Sequence, residues 1–149
     1  MKIKALAAAL AATVFAPISI AQEQPEWALV IHGGAGVIER GRMSAEREAE
    51  YRAAMHAALD RGEAVLQGGG SALDAIEAVI HGMEDDPLFN AGRGAVYTAA
   101  GKNELDASIM DGATLNAGAV AGVTQVRHPI SLARAVMDRS RHVMLQGEG

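Results

Sequence analysis

The sequence predicts an α/β fold of layered type, in which helices cover a sheet. Three stretches place apolar residues at helical spacing, and short apolar or glycine-bounded runs typical of strands lie between them. The run at residues 117–123 reads Ala-Gly-Ala-Val-Ala-Gly-Val. It lacks the apolar/polar alternation of a strand with one face in water, so both of its faces need cover. Its small side chains favour the close approach of a second layer.

The first predicted elements are a strand at 27–31 and a helix at 45–67. Residues 27–31 form a continuous apolar run stopped by glycines, which indicates a strand buried on both faces. Ser44 can cap the following helix, and Glu46 and Glu48 meet the positive end of its dipole. Three glycines at 68–70 end it.

A second helix is predicted to begin at Ser71, because Ser71 and Asp74 have the spacing of a capping box. Its apolar residues form one stripe, and Pro87 ends it. We predict strands at 95–98, 104–110 and 117–123, a third helix opened by Pro129 and Ser131 and running to 138, and a strand at 142–145. The stripe of the second helix consists of Leu73, Ile76, Val79, Ile80 and Met83.

Composition excludes several classes of protein. The 149 residues carry a net charge of −5, contain no cysteine, and are only 3% aromatic. Basic residues form no cluster, so no nucleic-acid partner is expected. The lack of cysteine excludes disulfides, cysteine nucleophiles and thiolate zinc sites.

Residues 1–21 have the pattern of a secretory signal peptide. Lys2 and Lys4 precede an apolar stretch, and Ser19-Ile20-Ala21 places small residues before a cleavage site. The stretch is shorter than the roughly 20 residues that span a bilayer. We therefore expect residues 22–149 to be periplasmic or secreted, without a membrane partner; the alternative is an alanine-rich N-terminal helix.

The glycine turn His32-Gly33-Gly34-Ala35-Gly36 follows the first predicted strand. It fails as a dinucleotide fingerprint, because the last glycine position is Glu39. It also lacks the Gly-x-Ser-x-Gly elbow that accompanies a lipase-type oxyanion loop, since the candidate around Ser71 ends in Leu73.

Two further blocks, Asp-Pro-Leu-Phe-Asn-Ala-Gly-Arg-Gly-Ala-Val at 86–96 and Glu-Leu-Asp-Ala-Ser-Ile-Met-Asp-Gly at 104–112, stand in order after this turn. Together the three segments resemble the plant-type asparaginases, or isoaspartyl (β-aspartyl) peptidases, over residues 27–149. The resemblance implies the N-terminal part of an αββα sandwich of the N-terminal nucleophile hydrolases. Residues 22–149 would be part of the first subunit.

The resemblance also implies hydrolysis of L-asparagine and β-aspartyl dipeptides by a threonine freed through self-cleavage. That threonine would lie beyond this chain, so we expect no catalytic nucleophile within it and no activity from it alone. The implied partners are the missing C-terminal subunit and a second copy, giving a homodimer of processed heterodimers. The alternatives are a glycosylasparaginase-like amidohydrolase and a non-catalytic truncated product.

By the same resemblance, His32, Gly33 and Gly34 lie near the self-cleavage site, with a plain structural turn as the alternative. Asn90 lies beside the catalytic threonine as a supporting residue, because an amide is neither a nucleophile nor a base at neutral pH. The alternative for Asn90 is an asparagine in a left-handed turn.

A structural sodium ion is a further implication, with no organic cofactor. Its ligands would be main-chain carbonyls, which suit a hard cation. No other metal pattern is evident: the five histidines are dispersed, and neither His56 nor His81 has a second histidine at helical spacing. The implied sodium ligands are Met83, Glu84, Asp86, Phe89, Ala91 and Arg93.

Three other polar residues are expected to be structural. Asp106 and Asp111 favour turn and strand-end hydrogen bonds over a paired-carboxylate site. Thr114 precedes a segment that faintly echoes the one after a processed threonine, but the resemblance places an ordinary strand here.

Overall fold

The computed structural model describes residues 26–35 and 41–147. The predicted signal peptide at 1–21 lies outside them. The sheet has the order β1-β2-β3, with β1 antiparallel and β3 parallel to β2. Helices and a small sheet confirm the α/β prediction. The elements are α1 (Ala45–Gln67), α2 (Ala72–Asp85), a 3₁₀ turn (Gly92–Gly94), β1 (Leu105–Met110), β2 (Ala117–Val123), α3 (Pro129–Arg139) and β3 (Met144–Gln146).

The caps of the first two helices agree with the local sequence. The Ser44 hydroxyl accepts a hydrogen bond from the Arg47 N–H at 3.2 Å, and Gly68 forms the C-cap of α1. At the start of α2, the Asp74 N–H donates to Ser71 Oγ at 3.1 Å and the Ser71 N–H donates to Asp74 Oδ2 at 3.2 Å. Each bond satisfies a backbone donor that the helix leaves without a partner.

Helices α1 and α2 pack closely because Gly62 leaves room between them. A Cβ there would lie 2.6 Å from Val79 Cγ2 and 2.7 Å from Leu29 Cδ2. Around this contact a core cluster forms, against which Leu29 and Ile31 also pack. The buried members of the cluster are Ala58, Val79, Met83 and Phe89.

The strand prediction at 27–31 is wrong. The segment pairs with no strand among the described residues, and Val30 is 92% exposed while Leu29 and Ile31 contact the core. An apolar run signals burial, but a strand also needs a neighbour to accept its backbone hydrogen bonds. The segment is therefore buried on the face that carries Leu29 and Ile31 and exposed on the other.

The sheet makes its closest contact with α3 at Gly118 of β2. A Cβ on Gly118 would overlap the backbone of Ala133 and Met137, so β2 and α3 touch main chain to main chain. The cluster between them is the second core of the described chain. The opposite face of the sheet is not covered in the described ranges, and Met110 is 53% exposed on it. The predicted cover on both faces is thus observed on one. The buried members of this core are Ile109, Val120, Val123, Ile130, Ala133 and Val136.

The strand prediction at 95–98 is also wrong. The segment is bonded to its own turn: the Thr98 N–H donates to the Lys102 carbonyl at 2.8 Å, and Asn103 Nδ2 donates to the Ala95 carbonyl at 2.7 Å. Val96 and Tyr97 are exposed. The other three strands and the third helix are confirmed, with the strand at 117–123 unchanged and the other ends shifted by at most two residues. Within the described ranges, no helix is both long and apolar enough to cross a membrane.

Candidate functional site

The glycine turn and the Asn90 loop meet at one surface hollow of about 620 Å³. His32, Gly33 and Gly34 form one wall, and Phe89 and Asn90 form the other. Phe89 is 5% exposed and anchors its wall in the core beside α1 and α2. The two segments that the sequence singled out separately are therefore neighbours in space.

Local geometry accounts for Gly33 and Gly34, the two glycines of the turn that lie within the described residues. Gly34 has φ +105°, a conformation that favours glycine, and its N–H donates to His32 Nδ1 at 3.0 Å. A Cβ on Gly33 would lie 2.8 Å from the Met55 sulfur and 3.5 Å from the Phe89 ring. A side chain at Gly33 would therefore require the Met55 side chain to move.

Asn90 holds its own loop together. Its Oδ1 accepts a hydrogen bond from the Val96 N–H at 2.9 Å, although the residue itself is exposed. Leu115 is the one non-glycine residue with positive φ among those described, so the left-handed alternative for Asn90 is wrong. The oxygen keeps a second lone pair, and the two N–H groups of the amide are donors that the Val96 contact does not use.

The segment from Met83 to Gly94, which begins in the last turn of α2 and continues as a loop, is built around crowded carbonyl groups. A Cβ on Gly92 would overlap the Glu84 carbonyl oxygen, and one on Gly94 would overlap that of Phe89. The Asp86 carbonyl accepts the Phe89 N–H at 3.2 Å. The loop thus presents oxygen atoms inside a tight turn that only glycines permit.

A cluster of charged and imidazole side chains lies beside this segment, at the end of α2. Glu84 is 3% exposed; its Oε1 accepts the Ile130 N–H and its Oε2 lies 3.0 Å from His128 Nδ1. Asp85 Oδ1 accepts hydrogen bonds from Arg127, which lower the pKa of the Asp85 carboxyl. Sequence reasoning missed this cluster because its contacts join distant parts of the chain. The one local signal was the spacing of His81 and Glu84, one helical turn apart.

Asp106 and Asp111 make the expected turn and strand-end hydrogen bonds, and Thr114 lies in a turn, not in a strand. The Thr114 hydroxyl donates to Asp111 Oδ2 at 2.6 Å within the turn between β1 and β2. This hydrogen bond lowers the pKa of the Asp111 carboxyl. Asp106 Oδ1 accepts the Gly122 N–H at 2.8 Å beside a bulge in the sheet.

Comparison with known proteins places the chain in a family. The asparaginase family profile matches residues 25–149, and the chain belongs to this family. An isoaspartyl peptidase of Salmonella typhimurium is 54% identical over 121 residues, which cover 81% of this chain and 39% of that protein. An isoaspartyl peptidase of Escherichia coli is 50% identical over 81% of this chain and 38% of its own length.

A plant-type L-asparaginase of Thermococcus kodakarensis is 48% identical over 122 residues, covering 82% of this chain and 38% of that protein. The resemblance drawn from the glycine turn and the two sequence blocks is confirmed. The chain spans about two-fifths of the length of these curated relatives.

Proposed function

We propose that this chain is the N-terminal part of a hydrolase of L-asparagine and β-aspartyl dipeptides. The observation that carries the proposal is the meeting of the glycine turn and Asn90 at one hollow. It occurs in a chain that is 54% identical to an isoaspartyl peptidase over 121 residues. The hollow is where a threonine from the remaining part of the protein would be received.

The proposed chemistry is acyl transfer. The hydroxyl of a freed threonine attacks the side-chain carbonyl of the aspartyl group, and the threonine's own α-amine takes the proton. The C–N bond breaks, the proton passes to the leaving nitrogen, and ammonia or an amine departs. Water then hydrolyses the ester to release aspartate or its derivative.

In this proposal the residues of this chain position the threonine nucleophile and do not themselves react with the substrate. An N–H of the Asn90 amide can hold the threonine hydroxyl by a hydrogen bond, while the Val96 contact keeps the amide from turning. The glycine turn brings the backbone at Gly33 and Gly34 close to the same space without side chains in the way. Polar groups that are already fixed in place can stabilise the charge that develops during the reaction without the cost of rearranging.

The proposed full fold is the four-layer αββα sandwich. Support comes from the sheet face opposite α3, which carries the exposed side chain of Met110 and the half-buried Ala119. A second sheet on this face would bury both. The proposed assembly is a homodimer of processed heterodimers, and the proposed destination is the periplasm or the exterior.

A sodium ion in the Met83–Gly94 loop is also part of the proposal. The carbonyl donors there suit a hard cation, and the glycines at 92 and 94 let the Glu84 and Phe89 carbonyl oxygens lie against the turn. The backbone carbonyls of Met83, Glu84 and Phe89 would be among its ligands. The ion would stiffen the loop that carries Asn90.

The test is the precursor that carries this chain in frame with its continuation. Purified precursor should cleave itself to expose an N-terminal threonine, then release ammonia from L-asparagine and aspartate from a β-aspartyl dipeptide. Mass spectrometry and substrate assays follow both events. A precursor that stays uncleaved and leaves both substrates intact contradicts the proposal.

A further inference from the structure

Three potential metal-binding side chains meet where the end of α2 lies against the start of α3. They are His81, Glu84 and His128, and one ligand atom from each lies within 4.8 Å of the other two. The rings of His81 and His128 are 4.4 Å apart between centroids. Residues far apart in the sequence thus face one small volume.

The chemistry of this set suits a divalent transition metal. Two imidazoles and one carboxylate form a three-residue ligand set found at zinc sites. Tetrahedral ligands at about 2.0–2.1 Å from an ion lie about 3.3 Å apart, so the cluster would contract by up to about 1.5 Å. Rotations of the His81 and His128 side chains, which are 35% and 23% exposed, can supply this movement.

The surroundings orient the ligands. The Ile130 N–H holds Glu84 Oε1, so Oε2 faces His128 Nδ1 at 3.0 Å. Ser131 Oγ lies 2.6 Å from His81 Nε2 and donates in turn to Glu77 Oε1. A hydrogen-bonded neighbour on one ring nitrogen is the usual companion of a metal-binding histidine.

The electrostatic balance also favours a cation. Glu84 is 3% exposed and has no arginine or lysine partner among the described ion pairs; its one ionic partner there is His128. Two further carboxylates lie beside the cluster, with Asp85 Oδ1 3.6 Å from His128 Nε2 and Glu77 Oε1 3.6 Å from His81 Nε2. Each of them also has an arginine nearby, because Arg127 Nη2 lies 2.8 Å from Asp85 Oδ1 and Arg134 Nη1 lies 3.9 Å from Glu77 Oε2. The buried carboxylate of Glu84 is therefore the charge that a bound divalent ion would compensate.

We propose that His81, Glu84 and His128 bind a divalent transition-metal ion of the Zn²⁺ class that ties α2 to α3. The fourth position is open to water. The ligand atom of Glu84 is its side-chain oxygen, so this site is distinct from the carbonyl groups of the neighbouring loop.

The test is calorimetric titration of metal-stripped protein with Zn²⁺, and with Co²⁺ as a visible-light probe of coordination. One ion per chain is expected, with d–d bands typical of four-coordinate Co²⁺. His81→Asn and His128→Asn should each weaken binding at least about tenfold. His56→Asn, which removes an exposed histidine of α1, should leave the affinity unchanged.

Far-UV circular dichroism of each variant checks that the chain is folded. If His128→Asn fails to fold, the comparison of His81→Asn with His56→Asn decides the matter. Absence of stoichiometric binding, or binding that survives both substitutions in folded protein, overturns the proposal. The cluster is then a hydrogen-bond network alone.

Discussion

The Val96 N–H donates to Asn90 Oδ1 at 2.9 Å and closes the loop between α2 and β1. This one hydrogen bond fixes a side chain that lines the hollow and a backbone segment that pairs with none of the described strands. The amide is oriented before any partner arrives.

In the precursor, we expect Asn90→Ala to slow self-cleavage or turnover about 10²-fold or more, as losing one positioned donor does elsewhere. It should also lower the free energy of unfolding by about 1 kcal/mol through loss of the Val96 hydrogen bond. Asn90→Asp separates the two effects, because a carboxylate keeps the acceptor and lacks the N–H donor. Asn90→Asp should be nearly as stable as the wild-type protein and should react as slowly as Asn90→Ala.

Arg93→Ala is the matched control for this loop. The Arg93 side chain is exposed, and only its main-chain carbonyl is assigned a role. Cleavage rates by gel and substrate assays compare the three variants. Normal rates in Asn90→Ala, with slow rates in Arg93→Ala, would show that the loop is wrongly assigned.

Gly92→Ala should destabilise the protein more than Gly101→Ala. Both glycines have positive φ, +48° and +71°, so both variants bear the strain of about 1–2 kcal/mol for an alanine in this region. Only at Gly92 would the new Cβ also overlap the Glu84 carbonyl, whereas nothing lies within 4 Å at Gly101. Urea denaturation measures the free energy of unfolding of both variants. Equal decreases in the two variants would contradict the close contact between Gly92 and the Glu84 carbonyl.

Ser71→Ala should lower the free energy of unfolding by about 1 kcal/mol, since α2 loses its N-cap. The melting temperature should fall by a few degrees. Ser108→Ala, at an exposed position of β1, should change stability by less than about 0.5 kcal/mol. A Ser71→Ala variant as stable as Ser108→Ala would mean that the capping box contributes nothing.

Thr114→Val tests the turn at Asp111 through its pH dependence. The Thr114 hydrogen bond lowers the folded-state pKa of Asp111, so its contribution to stability is present above the unfolded pKa and is lost as pH falls through the folded one. The stability gap between wild type and Thr114→Val should therefore be present at neutral pH and close below about pH 4. Urea denaturation across pH 2–7 measures it, and a gap that widens in acid is the contrary result.

Export should remove the first 21 residues, because a basic start and an apolar run precede Ser19-Ile20-Ala21. Mass spectrometry of the periplasmic fraction should find Gln22, or its cyclised form, at the new terminus. An intact Met1 in a cytoplasmic fraction is the outcome that contradicts export.

The helices were predictable because their signals are local. Ser71 and Asp74 are three residues apart, and a helix brings them together without help from the rest of the chain. The spacing of apolar residues then identifies the buried face of α2. The glycine turn and the blocks around Asn90 and Asp106 likewise placed the candidate site in the correct family.

Tertiary structure decided what depends on partners distant in sequence. Residues 27–31 and 95–98 have strand-like composition, yet pairing depends on a neighbour that local sequence does not specify. His81 and Ser131 are 50 positions apart and are joined only when α3 packs on α2. The local sequence therefore determined the helices and the family, whereas the packing of α2, α3 and the sheet determined which polar side chains meet, because such contacts exist only between elements already in place.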